Sequence, residues 1–393
     1  MSTTAIARST VHGVPRGAPF ERVALALQGG GALGAYQAGV YEALSDAGLY
    51  PNWVAGISIG AVNAAIIAGN PSEARVAKLR AFWERITTVQ PLDRIANLAP
   101  VSWMRGGISR GLLNRLSAGN AILNGASSFF EPRHPMAWLH PPGSLEATSY
   151  YDTARLKSTL EELIDFDRLN SGETRFGVGA VNVTSGNLVY FDNTTHRIRP
   201  EHVMASGALP PALPPIEIDG EFYWDGGLVS NTPLQWVLES EPQRDTLAFQ
   251  VDLWNALGAF PRNVAEVMTR QKEIQYSSRV RGNFDRFRYT QKLRNSLARL
   301  VENLPDEFQD LPELEVLRPV ASAKAYNIVQ LIYRAKGYEG DYKDYEFSRL
   351  SMEEHWRDGY HDTVRMLRHP EVLQRSDSSE GVLTFDLGQH GRE

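Results

Sequence analysis

The chain has 393 residues, 42% of them hydrophobic and 22% charged, with a formal net charge of −6 at pH 7. That length buries a large core, and that balance is ordinary for a globular protein. An acidic total gives no reason to expect nucleic acid as a partner, and zero cysteine excludes disulfides, thiolate metal sites and cysteine nucleophiles.

Met1 to Phe20 mixes Ser, Thr, Arg, Pro and Gly and lacks the apolar core of a signal peptide. No run of about 18 apolar residues occurs, so no membrane-spanning helix is expected. The expectation is a cytoplasmic protein with a flexible tail over residues 1–20.

Val23 to Leu27 is an apolar run with the length of a buried strand. It breaks into Gln28-Gly29-Gly30-Gly31-Ala32-Leu33-Gly34. Helical spacing follows, with Tyr36, Val40, Ala43 and Leu44 on one face, and Gly48 closes the helix as a left-handed cap. Trp53 to Ala55 starts a second strand, which runs into Gly56-Ile57-Ser58-Ile59-Gly60 and the small-residue helix Ala61 to Ala68. A serine between two glycines on a strand-to-helix turn is a nucleophile elbow: the glycines let the backbone bend and leave the hydroxyl exposed.

Two readings compete for the preceding turn. Gly29, Gly31 and Gly34 fit the G-x-G-x-x-G fingerprint of dinucleotide-binding folds. That fingerprint wants an acid near the end of the second strand to hold a ribose, and here that strand ends in Gly56-Ile57-Ser58. The rival is an oxyanion hole, in which N–H groups at a helix N-terminus face the anion formed in acyl transfer. The missing acid favours the oxyanion hole.

Pro71-Ser72-Glu73 opens another helix, with Val76, Leu79, Phe82, Trp83 and Ile86 at near-helical spacing. Residues 91–143 change character. Glycines and prolines interrupt Trp103, Met104, Phe129, Phe130, Met136 and Trp138, which suits either a lid or acyl-binding wall or an irregular insertion packed on the core. Tyr151-Asp152-Thr153 caps a helix to about Ile164. Arg175 to Asn182 reads as a core strand, with Leu188 to Phe191 as its hairpin partner. A short helix, His202 to Leu209, stops at Pro210-Pro211. A hairpin turn at Asp219-Gly220-Glu221 leads through Phe222-Tyr223-Trp224 into Asp225-Gly226-Gly227, Asn231-Thr232-Pro233 starts another helix, and Thr246 to Val251 is a further apolar strand.

This alternation predicts an α/β layered fold with a largely parallel central sheet over residues 21–255, the catalytic domain. Residues 256–370 read as a helical C-terminal extension and 371–393 as a polar tail. Within the extension, Arg262 to Leu300 carries ten Lys/Arg against three Asp/Glu. Ala321 to Leu367 reads as helical, with Val329, Leu331, Ile332 and Tyr333 on a buried stripe.

Serine needs a base to become a nucleophile. His355 or His361 would complete a triad in the order serine, acid, histidine. Both lie in helical text, and a surface or core role weighs more. Asp225 is better placed, at a strand end with two glycines behind it. The spaced pairs His134/His140 and His196/His202 match no metal motif, and no cofactor is expected.

Together Gly29 to Gly34, Gly56 to Gly60 and Asp225-Gly226-Gly227 resemble, in this order, the three motifs of the patatin-like phospholipase family. The resemblance covers about Val23 to Leu234, and the continuation to about Leu367 resembles the C-terminal extension of a bacterial branch. It implies a patatin-like layered fold, with Ser58 as nucleophile, Asp225 as its partner in a Ser-Asp dyad, and an oxyanion loop over Gly29, Gly30, Gly31 and Gly34. The implied activity is hydrolysis of a lipid or other acyl ester through an acyl-enzyme. Many members carry Arg or Lys where this chain has Leu33. The rival classes are a non-catalytic membrane- or partner-binding protein on the same fold, a hydrolase of another ester or thioester, and a nucleotide-binding oxidoreductase. The basic stretch 262–300 predicts peripheral contact with anionic membrane. Its apolar residues (Val264, Val267, Met268, Ile274, Phe284, Phe287, Leu293, Leu297 and Leu300) are assigned to core packing, with the basic side outward. Nothing in the sequence specifies an oligomeric state.

Overall fold

The computed structural model describes residues 19–87, 107–126, 128–277, 280–375 and 381–386. Its strands are β1 (Arg22–Leu27), β2 (Trp53–Gly56), β3 (Glu131–Pro132), β4 (Tyr151–Asp152), β5 (Arg175–Asn182), β6 (Leu188–Asp192), β7 (Ile216–Ile218), β8 (Glu221–Asp225), β9 (Thr246–Asp252), β10 (Tyr326–Ile332) and β11 (Val382–Asp386). The helices are α1 (Ala35–Asp46), α2 (Ile59–Ala68), α3 (Ser72–Ile86), α4 (Gly107–Asn124), α5 (Ala154–Leu163), α6 (Phe166–Asn170), α7 (Pro200–Ser206), α8 (Leu234–Glu239), α9 (Val264–Tyr276), α10 (Val280–Glu302), α11 (Pro312–Leu317) and α12 (Arg349–Met366).

Nine strands form the central sheet in the order β11-β10-β9-β1-β2-β5-β8-β7, with β6 also on β5. From β11 to β5 every neighbouring pair is parallel; β6, β7 and β8 are antiparallel additions. The inner strands are apolar on both faces because both faces are covered. Leu25 and Leu27 of β1 point into a large core with α1, α2, α3 and α12, whereas Ala24 and Ala26 point into a smaller one with Leu234, Val237 and Leu238 of α8 and Phe287 of α10. This alternation follows from the period of two of a pleated strand.

The region after residue 255 differs from the expectation in two places. Val329, Leu331 and Ile332 belong to strand β10, not to a helix, and β10 pairs in parallel with β9 from Tyr326↔Thr246 to Ile332↔Asp252. The polar tail contains β11, which pairs with β10. The C-terminal region, mainly helical, therefore completes the sheet. It also crosses α1 through α12 at backbone contact: a Cβ on Gly39 would lie 1.8 Å from the Trp356 carbonyl, and one on Gly359 would lie 2.0 Å from that of Tyr36. Glycine at both crossing points is what lets the helices meet this closely.

The apolar residues of 262–300 are a further correction. Phe287 is buried against Tyr326, but Val264, Val267, Met268 and Ile274 of α9 are exposed, as are Leu293 and Leu300. They do not pack into the core; Leu297 is half-buried. The Phe284 side chain lies outside the described residues, as do Trp103 and Met104. Among the described residues, no helix is long and apolar enough to cross a membrane.

Candidate active site

The parallel register places two loops side by side at the C-terminal ends of their strands. Leu27 of β1 is opposite Gly56 of β2 on one side and Val251 of β9 on the other. The chain therefore leaves β1 into the Gly-rich turn beside the point where β2 turns into α2. Ser58 sits on that turn with φ 56° and ψ −125°. A non-glycine residue in this region is strained, which is the mark of a nucleophile elbow. The bend is tight enough that a Cβ on Gly56 would meet the Gly60 carbonyl at 2.2 Å, and one on Gly60 would meet that of Leu27 at 2.4 Å. The Ser58 N–H is tied to the Ser206 carbonyl (3.1 Å) and hydroxyl (3.0 Å), and Ser206 Oγ donates to the Gly179 carbonyl (2.7 Å).

Asp225 ends β8 opposite Ala180 of β5. Gly226 passes directly behind the elbow, where a Cβ would lie 2.5 Å from the Gly179 carbonyl. The Asp225 carboxylate accepts from the Gly227 N–H at 2.7 Å, and Asp225 lines the same cavity as Ser58, whose hydroxyl acts on its charge. It is 3% exposed. Burial lifts its pKa from 3.8 to about 6, against the pull of the Ser58 hydroxyl and the Gly227 N–H, which favour the charged form. The carboxylate is thus a stronger base than a solvated aspartate while still ionised at neutral pH.

The Gly-rich turn opens a helix: a 3₁₀ turn over Gly31–Gly34 continues into α1. Among the described residues, the N–H groups of Gly30, Gly31 and Ile59 donate to no protein acceptor, and all three residues line the cavity that holds Ser58. Gly29 lines the same cavity and Gly34 does not. The Gly29 N–H is already bonded to the Asn231 carbonyl (3.2 Å), and a Cβ on Gly34 would clash with Ile59. Gly30 has an extended φ of 170°, and what excludes a side chain there is Leu253, 2.8 Å from a built Cβ.

Buried polar side chains fix this turn. Gln28 Oε1 accepts from the N–H groups of Leu253 (2.6 Å) and Trp254 (2.9 Å). Asn231 Nδ2 donates to the Gly29 carbonyl at 3.1 Å and Trp254 Nε1 donates to it at 3.0 Å. Asn63 Nδ2 bonds the Gly34 carbonyl at 3.0 Å and Gln37 at 2.9 Å. Of these supporting groups the sequence marks none: Asn231 reads there only as a helix start. The Ile59 N–H had a signal, since the residue after an elbow nucleophile commonly supplies an oxyanion donor.

The cavity has a volume of about 460 Å³ and an apolar wall formed by Ile122, Phe129, Phe130, Leu209, Leu213 and Phe347. Ala121, Ile122, Phe129 and Phe130 of the irregular stretch thus form part of the wall, while Met136 and Trp138 are exposed on the surface. Leu33 is fully buried in the core and does not line the cavity. No described histidine lines it either. His355 is buried behind α1, 2.7 Å from Glu339, which also accepts from the Tyr333 hydroxyl at 2.6 Å. Burial alone would depress the His355 pKa, but the Glu339 carboxylate beside it raises it overall. His361 borders a separate polar depression at the ends of β10 and β11. Among the described residues, no group of three or more His, Cys, Asp or Glu is arranged to hold a metal ion.

The model of the patatin-like phospholipase family matches residues 25–237, more than half of the chain, and spans the turn, the elbow and Asp225. The chain belongs to the patatin-like phospholipase family. A second model, described as patatin phospholipase, matches residues 274–379 of this patatin-like protein. No curated protein matches it. Among solved structures it is similar to VipD from Legionella pneumophila, at 14% identity and a TM-score of 0.37, over 94% of this chain and 72% of that one. Family membership implies a lipid acyl hydrolase acting on ester bonds.

Proposed function

We propose that this chain is a serine acyl-ester hydrolase of phospholipase A type that works through a Ser58–Asp225 dyad. The observation that carries the reading is a strained serine that shares an apolar cavity with a buried aspartate of raised pKa, on whose charge the serine hydroxyl acts. Ser58 Oγ attacks the ester carbonyl carbon as its proton passes to Asp225. The oxyanion of the tetrahedral intermediate rests on the N–H groups of Gly30, Gly31 and Ile59 at two helix N-termini. Collapse breaks the ester bond, and Asp225 returns the proton to the departing alcohol. Water, deprotonated by Asp225, then cleaves the acyl-enzyme and releases the fatty acid. Since Asp225 takes both protons, no histidine is required. The apolar wall suits an acyl chain. A panel of phospholipid, neutral glyceride and thioester substrates tests the reading. Ser58-dependent release of fatty acid from lipid esters supports it, and turnover of thioesters alone transfers the same chemistry to another substrate.

A second reading concerns how the enzyme reaches lipid. Leu257, Phe260, Val264, Val267 and Met268 are exposed in and just before α9, whose last residue, Tyr276, lines the cavity, as does Trp254 upstream of it. With the basic residues of α10, this face supports peripheral contact with an anionic lipid surface, the apolar side chains entering the interface and the cations facing headgroups.

A further inference from the structure

The loop before α12 touches the Gly-rich turn directly. The Ala32 N–H donates to the Asp344 carbonyl at 2.8 Å. Gly31 has φ +55°, and a Cβ there would lie 2.0 Å from that same oxygen, so the two backbones are in contact across the turn. Asp344 is gripped in its own right. Its carboxylate accepts from Lys272 Nζ at 2.9 and 3.1 Å, and Nζ also donates to the Asp341 carbonyl at 2.7 Å. The Asp344 side chain is 20% exposed and lines the catalytic cavity. A second strap runs alongside: Lys343, 3% exposed, pairs with Glu273 at 2.8 Å and lies over the ring of Trp254, which bonds the Gly29 carbonyl.

From these contacts we infer that Asp344, anchored by Lys272, is a positioning residue for the oxyanion loop. The inference rests on the hydrolase reading above and assigns the C-terminal region a part in catalysis. The Ala32–Asp344 bond fixes the first turn of the helix whose free N–H groups, on Gly30 and Gly31, face the developing oxyanion. That bond holds the peptide after Gly31, and the Leu33 N–H on the Gly30 carbonyl, at 3.2 Å, holds the one before it. Because glycine offers no side-chain resistance of its own, the turn depends on this outside contact. Without Lys272, the Asp344 carboxylate loses its partner, the loop carrying the carbonyl loosens, and the donors lose their aim. Donors must be set before charge develops, and a displacement of about 1 Å at such a site costs up to about 10²-fold in rate.

Lys272→Met tests this in the full chain, with Lys272→Arg as the charge-retaining control and Asp344→Asn as a second variant. Two quantities are read: kcat per serine titrated by fluorophosphonate, and amide hydrogen exchange over residues 29–35. In Lys272→Met and Asp344→Asn we expect kcat per titrated site to fall about 10- to 100-fold, KM to move less than about threefold, and exchange at Ala32 to quicken about tenfold or more while β1 keeps its protection. Lys272→Arg should stay within about threefold of wild type. A merely structural pair would lower the melting temperature and the titratable fraction but leave kcat per site and exchange in the turn unchanged; that result overturns the assignment, as does a loss of kcat with no change in exchange. If exchange quickens while the wild-type protein shows no Ser58-dependent hydrolysis, the hydrolase reading falls and the clamp stands.

Discussion

Replacing Asp225 by Asn should remove activity and raise stability at the same time. The carboxylate is buried, and its pKa moves from 3.8 to about 6. Holding it ionised in the fold therefore costs about 3 kcal/mol at pH values above both figures, at 1.36 kcal/mol for each pH unit. The sign follows from the direction. A carboxyl whose folded pKa is raised favours the fold while it is protonated, fully so below about pH 4, and that contribution is lost as pH climbs through about 6. Asparagine keeps the shape and does not titrate. Denaturant unfolding at pH 5 and pH 8 should thus show Asp225→Asn gaining on wild type by up to about 3 kcal/mol at the higher pH and by about half as much at the lower. In the same protein, kcat should fall about 10³-fold or more, since the serine has lost its base. Wild-type kcat/KM should decline about tenfold for each pH unit below about 6. An Asp225→Asn variant within tenfold of wild-type kcat, or an acid limb near pH 4 with no stability gain at pH 8, would refute the reasoning.

Three other outcomes follow from the same geometry. His355→Ala should leave kcat of the folded enzyme within about tenfold but destabilise it by about 3–5 kcal/mol in thermal or denaturant unfolding, because Glu339 is left buried without its cation; His361→Ala should alter kcat as little, and a dead histidine variant would mean a triad. Gly30→Ala should push the turn off Leu253 and Trp254 and lower kcat by about 10²-fold with the fold intact, and calorimetry of wild type should give no heat with NAD or ATP. Co-sedimentation should require anionic liposomes, weaken as salt rises from about 50 to 500 mM, and weaken again in Phe260→Ser/Val264→Ser.

The parts of this protein legible in its sequence are those whose cause is local. β1, β2, β5 and β9 show as apolar runs because both faces of each strand are buried, and the elbow shows because its bend admits no side chain at Gly56 or Gly60. Strand β10 is misread as helix for the opposite reason: a short apolar run has no period that separates strand from buried helix, and its true partner, β9, lies 80 residues back, Tyr326 facing Thr246. Five-residue β11 is hidden in the same way, in polar surroundings. Val264, Val267 and Met268 have the spacing of a core face, and only their exposure among the described residues shows that they face outward. At the site, glycines, serine and aspartate are legible, while Ser206, Gln28 and Asn231 act through partners about 150 to 230 residues away and leave no local mark.

The central claim is that Ser58 is the nucleophile, and intact-mass spectrometry after fluorophosphonate treatment tests it most directly. One adduct should form, mapping to Ser58. Ser58→Ala should form none, hydrolyse no acyl ester, and unfold within about 1 kcal/mol of wild type, because a half-buried hydroxyl at a turn contributes little to packing. An adduct that persists in Ser58→Ala, or one mapped to another residue of the active wild-type enzyme, would contradict the account.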